Sequence, residues 1–401
     1  MNKPLSVIFA TICLDAIGIG LIFPVLPRLI EDVTQAPNAV PCIGVLMAIY
    51  ALLQFIFAPF LGALSDRIGR RPVHLLSLAG AAMNYVLMVC ATSLTILIIG
   101  RAIAGITSAN VSVATAYITD VSSKETRSKQ FGLLNAMFGI GFILGPVLGG
   151  ILGDYWLRLP FAAAGVLNGC NLLIAFFILP ESRMPDCEKI TFVSPLSLAP
   201  LRWLLSTRSL AQVVGLFFVL SAAGEVYGTC WALWGKDVFG WNGLSIGLSL
   251  AMFGVCQSLA QAFLSAPAVK LLGERRAVLT GIAAASLGLL VMAFIASDWM
   301  VYAMMPVVAL SGIGTPALQS LATRLVDDKL QGQFQGTLAS AMSIASIIGP
   351  LGFSSFYFLV RDQWPGAIWL SALALEGVAV LLVFKLQINA SSPGPTQTPN
   401  P

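Results

Sequence analysis

An all-α membrane protein of twelve spanning helices, arranged as two parallel-repeat bundles of six, is the fold class the sequence predicts. Three observations predict it. The chain is 57% hydrophobic and only 10% charged, with a mean hydropathy of +0.88. Soluble proteins carry about a quarter charged residues, so the solvent for this much apolar surface must be lipid. Twelve apolar runs are each long enough to cross a bilayer, which takes about 20 residues. Polar and helix-breaking residues also recur in the second half of the chain at a nearly constant offset.

The runs are 5–28, 42–64, 73–93, 94–119, 130–153, 160–180, 209–234, 243–267, 276–296, 299–322, 333–359 and 365–387. Met1-Asn2-Lys3 leads straight into an apolar segment with an acid, prolines and no small-residue cleavage site, so it reads as the first span and not a leader. The stretch from Glu181 to Arg208 is polar and proline-punctuated. It is expected to be a cytoplasmic linker (181–208) between an N-terminal bundle, 1–180, and a C-terminal bundle, 209–387. Residues 388–401 are Pro/Ser-rich and expected to be a disordered cytoplasmic tail. With both termini cytoplasmic, only Arg28, Arg101, Arg158, Lys236 and Arg361 of the 22 Lys and Arg fall outside or within a span. This positive-inside bias predicts that orientation.

The repeat is parallel because equivalent runs differ by six. Gln54 matches Gln257 203 positions on, and both runs end in basic loops, DRIGRRPV and LLGERRAV. Gly105-Ile106 and Asp120 match Gly312-Ile313 and Asp327. Gln130-Phe131 matches Gln333-Phe334, and Gly145-Pro146 matches Gly349-Pro350. Two such halves form a complete path between them near the midplane, so a monomer suffices.

Several function classes are excluded. The seven cysteines include no CxxC pair and His74 is the only histidine, so no metal site is expected. No nucleophile–base set suggests an intramembrane enzyme, and no large soluble output domain suggests a sensor. No GxxxxGK[ST] loop indicates ATP as energy source. No basic stretch with interleaved aromatics points to nucleic acid. No bound cofactor is expected.

The loop after the second run reads Gly62-Ala-Leu-Ser-Asp66-Arg67-Ile-Gly69-Arg70-Arg71. Gly62 allows close helix approach, Asp66 can face a helix N-terminus, and Arg70 or Arg71 can pair with Asp120. Together they form a candidate conformational latch, expected to stabilise an outward-facing state. Charges there that only set topology are the plainer reading. This GxxxDRxGRR run resembles the signature of the major facilitator superfamily. In the fifth run, Gly141-Phe-Ile-Leu-Gly145-Pro146-Val-Leu-Gly149-Gly150 presents small residues four apart, which is packing chemistry, with a proline that invites a kink. It also resembles the motif of drug–proton antiporters, and it argues against the alternative of a proton-coupled importer of a small metabolite.

Leu14-Asp15-Ala-Ile-Gly18-Ile-Gly20, Tyr50-Ala-Leu-Leu-Gln54, Gly100-Arg101-Ala-Ile-Ala-Gly105 and Pro316-Ala-Leu-Gln319 resemble the tetracycline efflux family over nearly the whole chain. That resemblance implies a proton-driven exporter in the bacterial inner membrane. Its cargo would be a small amphipathic drug, with Mg²⁺ carried as a drug chelate. The family's further ionisable groups in helices three, eight and nine are here Asn84, Gln257 and Ala285.

Asp15 lies about 10 residues, or roughly 15 Å, into its helix. A charge so placed is costly enough that function is the default reading. Asp15 is the first candidate for proton coupling and Glu225, in the seventh run, the second. Glu376 sits on the more peripheral twelfth run, where a surface or lipid-interface acid paired with a neighbour and a functional role stay equally open. Arg101 can anchor an acid or anionic substrate, or snorkel outward. Gln54, Asn84, Asn110, Asn135, Gln257, Gln261 and Gln319 can line a cavity as its few polar groups, or bond between helices. Phe138, Phe142 and Trp231 can supply aromatic walls, whereas Trp234 reads as an interface anchor.

Overall fold

In a computed structural model, residues 3–35, 40–182, 208–323 and 331–385 are described. The expected linker, apart from its ends, and the expected tail lie outside them, as does Asp327. Among the described residues, twelve helices are long and apolar enough to span a membrane: α1 (Leu5–Thr34), α2 (Val40–Ile68), α3 (Arg70–Val89), α4 (Leu94–Val121), α5 (Lys129–Tyr155), α6 (Leu159–Ile178), α7 (Leu210–Phe239), α8 (Gly243–Leu272), α9 (Glu274–Phe294), α10 (Asp298–Ala322), α11 (Phe334–Val360) and α12 (Ala367–Lys385). Several overrun the apolar runs by a turn or more. Apolarity marks only the hydrocarbon slab, and the backbone stays helical until a breaker ends it. For α2 the breaker is Gly69, whose φ of 102° suits glycine.

Neither α4 nor α10 is continuous, against the uninterrupted runs read from sequence. The α4 backbone breaks at 107–109 between Leu94–Ile106 and Asn110–Val121. In α10 it tightens to a 3₁₀ turn at Leu310–Ile313. At the first break Ser108 bonds the Tyr50 hydroxyl (3.0 Å) and receives a hydrogen bond from the Gln54 amide (2.8 Å). At the second, Gly312 lies against the Gln257 amide, where a Cβ would come within 2.7 Å of it. The helix-two glutamine of each half thus meets the broken helix of the same half.

Within the halves α1 packs on α5, α3 on α6, α7 on α11 and α9 on α12; between them α2 packs on α11 and α5 on α8. The two seams between halves are pseudo-symmetric. Gly247 lies against the Pro146 carbonyl and Gly44 against the Pro350 carbonyl. Their offsets, 247 − 44 = 203 and 350 − 146 = 204, are those of the sequence repeat. Arg71 donates to the Phe176 carbonyl and lies over its ring, and Arg275 does the same at Phe384.

Candidate functional site

The antiporter-like motif works along two edges of α5. Gly141, Gly145 and Gly149 face α1, where an added Cβ would press on the backbone of Cys13, Ile17 or Gly20, and Leu21. Pro146 and Gly150 face α8, at Gly247 and Gly243. Residues four apart share a helix face, so one motif both stitches the first half and seals it to the second. The seal lies toward the end bearing the α1–α2 and α7–α8 loops, the far end. There Asp154 accepts from the Gly243 N–H (3.0 Å) and the Leu244 N–H (2.9 Å), capping α8, while it pairs with Arg28 of α1. Lys236 of α7 adds an ion pair to Glu31 of α1 at 2.7 Å.

At the opposite, loop end, a Cβ added to Gly62, Gly132 or Gly336 would meet nothing within 4 Å. Gly62 therefore packs on no neighbouring helix end in this state, contrary to expectation. Arg70 is nevertheless fully engaged. It pairs with Asp66 (2.7 Å) and Asp120 (3.1 Å) and bonds Ser65 (2.6 Å). The cluster is complete inside the first half while the far end is sealed, so it is not a contact confined to the opposite state. The Arg70 and Arg71 N–H groups donate to Glu181, at 2.7 and 3.1 Å. Arg67 is exposed beside the cluster.

Between the halves lies a cavity of about 680 Å³, within the usual range for small-molecule sites. Of the residues predicted for it, Gln54, Arg101, Trp231 and Gln257 line it, with Phe142 and Glu225. Arg101 is buried and sits 4.5 Å over the Tyr50 ring, so it does not snorkel outward. Trp231 donates to Ser249 at 2.9 Å and Glu225 accepts from Ser346 at 2.6 Å.

The remaining candidates lie elsewhere. Asn84 is buried against Gly100 and Asn135 is exposed. Phe138 stacks behind Phe142, and Gln319 bonds Gln335. Gln261, a turn beyond Gln257, would share its face in a regular α-helix. A π-turn at Ala260–Leu264 breaks that register and leaves Gln261 exposed. Trp234 is 1% exposed and packs in an aromatic cluster with Trp231, Trp241 and Trp369, so it is no interface anchor.

Asp15 lies behind the described cavity wall. The Asn110 amide donates to it at 2.6 Å, and that amide is there because the α4 break makes Asn110 the first residue of a new helix. Asp15 and Arg101 both lie within electrostatic reach of Tyr50 and Tyr85. Asp15, Asn110, Tyr50, Ser108, Gln54 and Arg101 thus form one polar patch in the first half. Glu376, with no partner visible in sequence, lines the cavity from the second half. Broken helices around a midplane cavity between repeats are the architecture of a secondary transporter.

The comparisons agree with that class. The profile described as Major Facilitator Superfamily matches residues 8–234 and again 213–400. The chain belongs to this superfamily. It is 45% identical to the class C tetracycline resistance protein of Escherichia coli, over 93% of this chain and 94% of the relative. It is 41% identical to the class G protein of Vibrio anguillarum, over 89% and 91%. Among solved structures, the human organic anion transporter MFSD10 (TETRAN) superposes with a TM-score of 0.69 at 24% identity, covering 95% of this chain and 99% of that one. The protein is a multi-pass membrane transporter and not an enzyme.

Proposed function

We propose that this transporter is a proton-coupled antiporter that exports a tetracycline-like amphipathic drug by alternating access. It would act as a monomer in the bacterial inner membrane, with both termini in the cytoplasm. The observation that carries the reading is Asp15, a mid-membrane acid held by one neutral partner, Asn110, beside the wall of a drug-sized cavity. A carboxylate there is costly when charged and cheap when protonated, so its proton can report which side the cavity faces. In the proposed orientation the loop end faces the cytoplasm, and the structure is the state that admits drug. Drug enters, the halves rock, and a periplasmic proton on Asp15, with Glu225 as second coupling group, favours release and return. Mg²⁺ would travel only as part of a drug chelate.

Gln257 and Ala285 sit in the cavity wall, and Asn84 is buried in the first half. These neutral residues carry no proton, so coupling falls on the acids that remain. The test is tetracycline–Mg²⁺ uptake into everted vesicles, with proton release from the purified protein in weak buffer. Gradient-driven uptake that is lost in Asp15→Asn is expected. Uphill uptake by that variant would sink the assignment of Asp15. Proton release with other drugs only would move the substrate and keep the mechanism.

A further inference from the structure

The cavity is chemically lopsided. Both acids that line it, Glu225 and Glu376, come from the second half, and the lining residues of that half include no Lys, Arg or His. The lining cation, Arg101, comes from the first half and is engaged with Tyr50. Glu225 is satisfied by Ser346. Glu376 is not: the residue is 7% exposed, and its Oε2 is buried with no hydrogen-bond partner.

The surroundings of that carboxylate are aromatic. Tyr227 lies within electrostatic reach of Glu376, and its own hydroxyl is also buried and unpartnered. Its ring stacks on Phe253 at 6.2 Å and packs against Trp369 at 5.4 Å and Trp231 at 6.1 Å. Trp369 precedes Glu376 by seven residues, two helical turns, and so shares its face of α12.

An unpaired carboxylate in low dielectric is costly and is relieved by an opposite charge. Ring faces add attraction for a desolvated organic cation that they would not offer an anion. From this cavity wall we infer a recognition site for lipophilic monovalent cations, tertiary or quaternary amines with an aromatic body. Glu376 neutralises the charge, while Tyr227, Trp231 and Phe253 hold the apolar portion. The site is distinct from the Asp15 patch, which lies in the other half and is satisfied by Asn110. The inference rests on reading the cavity as the drug path.

The experiment is equilibrium binding to the purified, detergent-solubilised full chain. Ethidium, a quaternary aromatic cation, is followed by fluorescence. An uncharged fluorescent probe of comparable size, N-phenyl-1-naphthylamine, serves as comparison. Glu376→Gln, monodisperse on size exclusion, is expected to weaken ethidium by about tenfold or more while the uncharged probe binds as before. Glu376→Asp, which keeps the charge, should recover part of the loss. Tyr227→Ala should weaken both probes, ethidium by more because the ring's attraction for the cation is lost along with its apolar contact, and it carries the test if the glutamine variant does not purify. The inference is overturned if the unaltered protein does not bind ethidium. It is also overturned if the variants bind ethidium normally, or lose both probes alike. Binding is read without a gradient, so a failure of proton-driven export with ethidium binding intact would remove the antiport reading alone.

Discussion

Truncating Asp154 at Cβ should loosen the far-end seal by a calculable amount. Two of its contacts cross between the halves, from the Gly243 and Leu244 N–H groups at 3.0 and 2.9 Å. The third, with Arg28, stays within the first half and need not change as the seal opens. Asp154→Ala therefore removes the N-terminal cap of α8 supplied by the other half. Losing such a cap costs about 0.5–2 kcal/mol. The Arg28 pair, about a third exposed, adds little. A cost of about 0.5–2 kcal/mol shifts a two-state balance by roughly 2–30-fold, here toward far-end-open molecules. Asp154→Asn retains one oxygen able to accept a cap bond and should shift less.

Spin labels at Trp156 and Trp299, both exposed at the far end, read the change as a distance distribution. The labels go into a background from which the seven natural cysteines have been replaced. The population at long distance should rise in the order unaltered, Asn, Ala. If Asp154→Ala leaves the distribution unchanged, the cap does not hold the seal and the argument from these two bonds is wrong.

Three further substitutions follow from the geometry. Asn110→Ala removes the hydrogen-bond donor to Asp15; drug-induced proton release should weaken and its pH profile shift, whereas an unmoved profile would make the bond incidental. Gly145→Val places side-chain atoms where a Cβ already comes within 2.6 Å of the Ile17 carbonyl and 2.8 Å of the Gly20 Cα. Thermal unfolding of the detergent-solubilised protein should shift down, consistent with about 1–3 kcal/mol of overpacking, while Gly132→Ala, facing open space inside a helix, should leave it unchanged or slightly raised. Arg70→Ala strips Asp120, Asp66 and Ser65 of a common partner. It should lower the melting temperature, and Arg70→Lys should not restore it, because one ammonium cannot reproduce a guanidinium that engages three groups through different nitrogens.

Twelve spans, the broad repeat and the close-packing motif were legible in the sequence because each depends on local composition or spacing. The helix breaks were not. Nothing in the apolar run 94–119 announces that Ser108 will turn toward Tyr50 and Gln54, since those partners are more than 50 residues away. The same holds for Glu181, which reads as the first residue of a linker yet caps α3 across 111 positions. Gln261 was misplaced because an i, i+4 argument presumes a regular α-helix, and one π-turn cancels it. Trp234 was misplaced for a different reason: tryptophan near a helix end fits either the membrane interface or an aromatic core, and only tertiary packing decides. Glu376 stood out as an intramembrane acid but its role stayed open, because its meaning lies in α7 aromatics far away in the chain.

The two halves share their mechanics and divide their chemistry. Each contributes one small-residue seam to the other, Gly44 against Pro350 and Gly247 against Pro146, and each breaks its fourth helix beside a helix-two glutamine. Duplicated joints of this kind allow a symmetric rocking motion at similar cost in both directions. The polar groups carry no such symmetry. The first half holds Asp15 with Asn110 and a buried Arg101; the second holds Glu225 and Glu376 amid aromatic rings. A motion that is mechanically even-handed becomes directional only if binding differs between its two end states. On the alternating-access reading proposed above, the uneven groups are where coupling and substrate choice would reside, and substitutions at the seam glycines, Gly44 and Gly247, which do not line the cavity, should alter how often it changes sides without altering what it carries.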